Sequence, residues 1–158
     1  MKIKLCVLFG GKTVEHEVSV ISALQAIASI DAEKYDVIPV YITKNNEFYV
    51  DRDLLNEGFY LENKYHKNGF MIIENKEKPI LISKRNPLKK IRFDIALLCV
   101  HGQGLEDGKL TSLFELLDIP YVGPNVLSSS LAQSKYQTKK KILDIQQLFL
   151  INGDSYSF

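Results

Sequence analysis

The sequence predicts a three-layer α/β fold built on a mostly parallel, doubly wound sheet. Three observations predict it. Lys2 to Phe9 is a continuous apolar run rich in Val, Leu and Ile, the pattern of a strand buried on both faces. It breaks at Gly10-Gly11 and passes within a few residues into a helical pattern. A second such run, Phe93-Asp-Ile-Ala-Leu-Leu-Cys-Val100, breaks the same way into His101-Gly-Gln-Gly-Leu-Glu-Asp-Gly108 and another helical pattern. Strand and helix patterns alternate along the chain, which places helices on the faces of a parallel sheet.

Each element has a local reason. The first helix is predicted over about Val14 to Ile30, with Val18, Ile21, Leu24 or Gln25, and Ala28 forming its apolar face at spacings of three and four. Thr13 is placed to cap it, and Glu15 and Glu17 fall in the first turn, where the helix dipole favours carboxylates. Tyr35 to Ile42 reads as a second strand, and its Pro39, unable to donate to a ladder, predicts an edge or near-edge place. Thr43-Lys-Asn-Asn-Glu47 reads as a turn into a short partner strand, Phe48 to Val50. Residues 51–90 are polar and mixed in period, an insertion decorating the sheet with small strands at Gly69 to Ile73 and Ile80 to Ser83. After the Phe93 strand, Asp107 is positioned to cap a helix over about Lys109 to Leu117, with Leu110, Leu113, Phe114 and Leu117 on one face. Ile119 to Pro124 reads as a short strand and turn. Helices follow at Ser128 to Ala132 and Lys135 to Leu148, and Ile151 to Phe158 resembles the start of a further element.

At 158 residues the chain is expected to form one domain, 1–158, with a substantial core. Hydrophobic residues at 46% and charged residues at 25% are ordinary for a globular chain. A formal charge of +1 gives no electrostatic reason to expect nucleic acid or an anionic membrane as partner. Lys139-Lys140-Lys141 reads as a solvated helix face. Cys6 and Cys99 each lie inside an apolar run and read as free buried thiols, in keeping with a reducing, cytoplasmic compartment. The chain enters its first strand directly at Met1-Lys-Ile-Lys, without an apolar leader, and no apolar run reaches membrane-spanning length.

The chemistry sits at the two strand ends, because ligands of open α/β sheets bind outside the carboxyl ends of the strands. The first loop lacks the third glycine of a dinucleotide fingerprint, and Cys6 stands where a P-loop has its first glycine. Glu15 would moreover repel a phosphate at that helix end. Its charge suits an ammonium group, which would gain charge-assisted hydrogen bonds. Glu15 reads equally well as a helix-start acid. In the second loop Gly102, Gly104 and Gly108 permit close backbone approach, and His101 is either a satisfied core histidine or a site residue. His16, His66 and His101 show no metal-ligand spacing, and no metal site is expected in this chain. Ser128, Ser129 and Ser130 read as helix-start residues.

Together these residues resemble the N-terminal domain of D-alanine–D-alanine ligases, in the ATP-grasp superfamily. Gly10-Gly-Lys-Thr-Val-Glu-His-Glu-Val-Ser19 is similar to that family's opening signature of two glycines, a spacer and Glu-x-Glu-Val-Ser. The segment His101 to Gly108 resembles its His-Gly-x-x-Gly-Glu-Asp-Gly signature, and Phe114-Glu-Leu-Leu-Asp-Ile-Pro-Tyr-Val-Gly123 its Leu-Glu-x-x-Gly-Ile-Pro-Tyr-x-Gly segment. The fold this implies is the Rossmann-like, pre-ATP-grasp domain. In this family ATP phosphorylates the carboxylate of a first D-alanine, the amine of a second attacks the acyl phosphate, and the dipeptide enters peptidoglycan synthesis. The resemblance implies that Glu15 grips the ammonium of the first D-alanine, that Val18 lines its subsite, and that His101, with Gly102, lies against the reacting substrates. It implies ATP and Mg (or Mn) as cofactors, bound by further domains that the family carries after this one and this chain does not, and a homodimer. Two departures matter: Leu105 stands for a glycine, and Gln133-Ser134-Lys135 for Met-Asp-Lys, which removes its acid. The alternatives are a D-alanine–D-serine or D-alanine–D-lactate ligase domain, a non-catalytic module that binds a small amine or a partner subunit, and a free-standing nucleotide-binding module, which the missing third glycine disfavours.

Overall fold

A computed structural model describes residues 1–56, 58–61, 69–73, 78–102 and 107–151. The strands are β1 (Ile3–Gly10), β2 (Tyr35–Ile42), β3 (Phe48–Tyr49), β4 (Phe70–Ile73), β5 (Ile80–Ser83), β6 (Lys90–Arg92), β7 (Ile95–Val100) and β8 (Tyr121–Val122). The helices are α1 (His16–Ser29), α2 (Gly58–Leu61), α3 (Lys109–Leu116), α4 (Val126–Gln133) and α5 (Lys135–Ile151), with a 3-10 turn at Arg52–Leu55. One sheet runs in the order β6-β5-β4-β3-β2-β1-β7-β8. Its long pairings, β1 with β2 and with β7, are parallel, as is β7 with β8. The polar insertion extends the same sheet with antiparallel strands rather than packing on it.

The layers follow from the alternation of β1. Leu5, Val7 and Phe9 face one core with Val20 and Ala23 of α1, while Cys6 and Leu8 face the other with Leu110 and Phe114 of α3. Both faces of the central strands are therefore covered, which is why they read as unbroken apolar runs. The described residues around 70–73 and 80–83 join the α3-side core through Phe70, Ile72 and Leu81.

Several expectations need correction. β2 lies inside the sheet, but β3 pairs only with Tyr41 and Ile42, so the flank beside Pro39 carries no registered strand and the missing N–H is tolerated. The buried face of α1 is His16, Ser19, Val20 and Ala23, not the predicted stripe. Val18 and Ile21 stay more than half exposed. α1 carries two apolar stripes, and the hydrogen bonds of His16 and Ser19 to the preceding loop select which one turns inward. The β6 strand was not foreseen, since Lys90-Ile-Arg92 carries charge at both outer positions. Asp107 precedes the N-cap of α3, Gly108, yet its carboxylate still accepts the Lys109 N–H at 3.3 Å. Asn125, rather than the serines after it, caps α4 through the Ser128 N–H at 2.8 Å. His66, Gly104, Leu105 and the stretch 152–158 lie outside the described residues.

Ser134, the second departure, closes α4 and opens α5, with its Oγ accepting the Gln137 N–H at 3.3 Å. Serine and aspartate are equally good N-caps, so this exchange keeps the helix junction. Asp118, in the position of the pattern's glycine, ends α3 in the left-handed region at φ 49°.

Candidate functional site at the β1 and β7 ends

The chain leaves β1 through α1 to β2 on one side, then returns to β7 on the other side of β1. The strand order reverses there, so the carboxyl ends of β1 and β7 flank the topological switch point where open α/β sheets take ligands. The first predicted loop, and His101 and Gly102 of the second, lie at this crevice.

The first loop is tied down by polar side chains of α1. Gly10 and Gly11 both adopt positive φ, 89° and 101°. Ser19 Oγ accepts the Gly10 N–H at 2.8 Å and donates to the Cys99 carbonyl at 2.7 Å, joining the ends of β1 and β7. The His16 ring approaches the Gly11 carbonyl at 2.6 Å through Nδ1 and the Tyr41 hydroxyl at 2.8 Å through Nε2. His16 and Ser19 point inward, one turn apart, so the signature's polar residues are partly scaffold. Sequence reasoning weighed His16 only as a metal ligand; its three-residue spacing from Ser19 on an apolar helix face was the available signal.

Glu15 is the residue left facing out. It occupies the N-cap position with φ −96° and ψ 21°, but its carboxylate makes no capping bond. The Glu15 N–H is taken instead by Thr13 Oγ1 at 3.1 Å, so Thr13 serves the helix start as expected, one step earlier than a cap. Glu15 is exposed. Gly102 of the second loop closes on this point. Gly102 is buried with φ 88°, and a Cβ there would stand 1.9 Å from Thr13 Oγ1 and 3.5 Å from Glu15 Cβ. The structure therefore brings Glu15 and Gly102 together, with half-buried His101 beside them at the end of β7. Val18, three residues after Glu15, stands out of the core on the same flank of α1.

A cavity of about 220 Å³ lies on the β2 side of α1, lined by His16, Glu17, Val20, Tyr41, Lys44 and Tyr60 among others. It includes neither Glu15 nor His101. At its rim Lys44 Nζ donates to Glu17 at 2.8 Å, and that bond holds the Glu17 carboxyl below its usual range. Cys6 is fully buried and burial pushes its thiol far up; Cys99 is half-buried and shifts the same way. No group of three or more His, Cys, Asp or Glu side chains poised for a metal occurs among the described residues. No helix among them is long and apolar enough to cross a membrane.

An open sheet whose strand order reverses beside β1, with a carboxylate and an imidazole at that switch point, defines a class, that of doubly wound α/β domains. Residues 4–124 match the family model described as D-ala D-ala ligase N-terminus. The chain belongs to that family. It is 37% identical over 144 residues to a D-alanine--D-alanine ligase of Clostridium acetobutylicum, an alignment covering 88% of this chain and 38% of that relative. Among solved structures it resembles the D-alanine-D-alanine ligase from Coxiella burnetii, with TM-score 0.75, 33% identity, and coverage of 88% of this chain and 40% of the other. It also resembles the VanG D-Ala:D-Ser ligase from Enterococcus faecalis, with TM-score 0.73, 31% identity, and coverage of 89% and 41%. The chain thus spans about two fifths of the length of the relatives it matches.

Proposed function

We propose that this chain, as one unit over 1–158, supplies the first-substrate subsite of an ATP-dependent D-alanine–D-alanine ligase. The carrying observation is the closure of Gly102 on Thr13 and Glu15, which sets an uncommitted carboxylate beside the His101 loop. Glu15 takes the ammonium of the first D-alanine by charge-assisted hydrogen bonds. His101 and Gly102 form the facing wall and orient the substrate for attack by the second amine. Val18, exposed one turn along α1, lines the subsite against the small side chain.

Among the described residues the α1 start does not fit the phosphates of ATP, and no group of three or more His, Cys, Asp or Glu stands together to hold a divalent cation. Glu15 and Glu17 stand at the α1 start, where a phosphate needs donors and not acids. We therefore assign ATP and Mg (or Mn) to the part of the ligase that this chain does not span, together with the remaining catalytic groups. Carboxylate activation and amine attack require both reactants held in one enclosed geometry. The chain alone is accordingly inactive, and D-alanine-dependent ADP release by it would refute the assignment. We further propose that the whole enzyme works in the cytoplasm, as a homodimer serving cell-wall precursor synthesis.

Calorimetric titration with D-alanine tests the subsite. The unaltered chain binds and Glu15→Gln binds at least tenfold more weakly, since a neutral amide forfeits the ion pair. Equal titrations would favour a scaffold without a ligand. The similarity to a D-Ala:D-Ser ligase supports a second reading, in which the first amino acid is unchanged and the second is D-serine. Dipeptide analysis of the full-length enzyme with mixed D-alanine and D-serine separates the two.

A further inference from the structure

The contacts of His16 point beyond core packing. Its ring is 4% exposed and lies edge-on to Tyr41, with centroids 5.4 Å apart and planes at 75°. A carbonyl can only accept, so the 2.6 Å contact to Gly11 requires the proton on Nδ1. In the neutral ring Nε2 is then the acceptor for the Tyr41 hydroxyl. Tyr41 is itself 1% exposed, packed against Phe9 and Tyr60. Gly11 in turn donates to the Ile42 carbonyl at 2.6 Å. A chain of contacts therefore runs from β2 through Tyr41 and His16 to the Gly11 carbonyl. His16 is covalently next to Glu15.

We propose that His16 is a positioning residue: as the Nδ1–H tautomer, oriented by Tyr41, it holds the Gly11 carbonyl and fixes the first turn of α1 so that Glu15 faces the crevice. This rests on the reading of Glu15 as the amino-acid ligand. The same arrangement explains why the side chain after the acid is buried and polar. An apolar ring in its place would remove the contacts to the Gly11 carbonyl, which would keep the Thr13 N–H at 3.0 Å, and to the Tyr41 hydroxyl.

The ring itself gives the first test. Long-range proton–nitrogen NMR of the chain with labelled histidine should show His16 protonated at Nδ1 and bare at Nε2; the opposite tautomer overturns the proposal. The second test is D-alanine affinity, read from the Glu15 amide resonance in folded protein. Asparagine presents an amide N–H near the Nδ1 position, so His16→Asn should stay within about threefold of the parent. His16→Ala should bind about tenfold more weakly, the size of one lost hydrogen bond, and Tyr41→Phe should fall between. A purely structural role would lower unfolding midpoints in all three and leave affinity equal, which overturns the proposal. So does His16→Asn binding no better than His16→Ala. Should His16→Ala not fold, Tyr41→Phe decides, and unchanged affinity with an unchanged tautomer overturns the claim. If the parent chain does not bind D-alanine, or Glu15→Gln binds equally, the subsite reading fails. The positioning claim is then decided by whether Tyr41→Phe moves the Glu15 amide resonance, and no movement overturns it.

Discussion

Replacing Gly102 with alanine tests the interlock of the two loops most directly. The new methyl would lie 1.9 Å from Thr13 Oγ1, more than an ångström inside any van der Waals separation, and 3.1 Å from Thr13 Cβ. Two costs add. The backbone sits at φ 88°, where a residue with a Cβ is strained by about 1–2 kcal/mol. Overpacking a closed site costs about 1–3 kcal/mol more. Rotating Thr13 away would relieve the overlap only by breaking its bond to the Glu15 N–H, a loss of about 1 kcal/mol, so that escape does not remove the penalty. Gly102→Ala should therefore destabilise the chain by about 2–5 kcal/mol. In a Thr13→Ala background the 1.9 Å overlap vanishes while the 3.1 Å approach to Cβ stays, and the same substitution should cost little more than the backbone strain, about 1–2 kcal/mol. Urea unfolding of the four proteins of this cycle, with m unchanged, measures both numbers. Equal costs in the two backgrounds, or a cost below about 1 kcal/mol in the parent, would show that Gly102 does not rest on Thr13, and the shared crevice would go with it.

Other outcomes follow from single contacts. Ser19→Ala strips the Gly10 N–H and the Cys99 carbonyl of their shared buried partner and should cost about 1–3 kcal/mol in the same unfolding assay, against under about 0.5 for the exposed Ser29→Ala. Burial raises the Cys6 thiol, so the folded chain keeps a proton that the unfolded chain releases above about pH 8.5. Stability from this source is complete below that pH and falls as pH rises, by about 1.4 kcal/mol at pH 9.5, and Cys6→Ala should show that much less loss between pH 7.5 and 9.5. Asp118→Gly relieves a left-handed residue at φ 49° and should raise stability by about 0.5–1 kcal/mol; a lower denaturation midpoint would contradict the strain.

The legibility of the fold varied with what the physics left implicit. The central strands announced themselves because burial on both faces demands unbroken apolar runs, and β1 and β7 have it. The α1 face did not, because hydrophobicity alone cannot rank two apolar stripes on one helix. The choice depends on where His16 and Ser19 find partners, and those partners are backbone groups of another segment. The same reason hid β6, which pairs through its backbone with Ile80, Leu81 and Ile82 whatever its side chains carry. Of the candidate site, Glu15, Val18, His101 and Gly102 were proposed from the sequence as positions. That Gly102 touches Glu15 was not, since it depends on β7 returning beside β1.

These misses share a direction that bears on the site. Side-chain type alone does not say which polar residues after the glycine pair serve the loop backbone and which face a ligand. The structure divides that set in two. His16, Ser19 and Thr13 spend their hydrogen-bonding capacity on the backbone of the loops, at Gly11, Gly10, Cys99 and Glu15 itself. Glu15 spends none of its carboxylate on capping the helix it begins. Leaving one acid outside a turn whose other polar groups are committed is costly as a stability design, because the dipole term alone is worth less than a satisfied cap. It is an arrangement consistent with the proposed role of Glu15 as the ligand of an ammonium group.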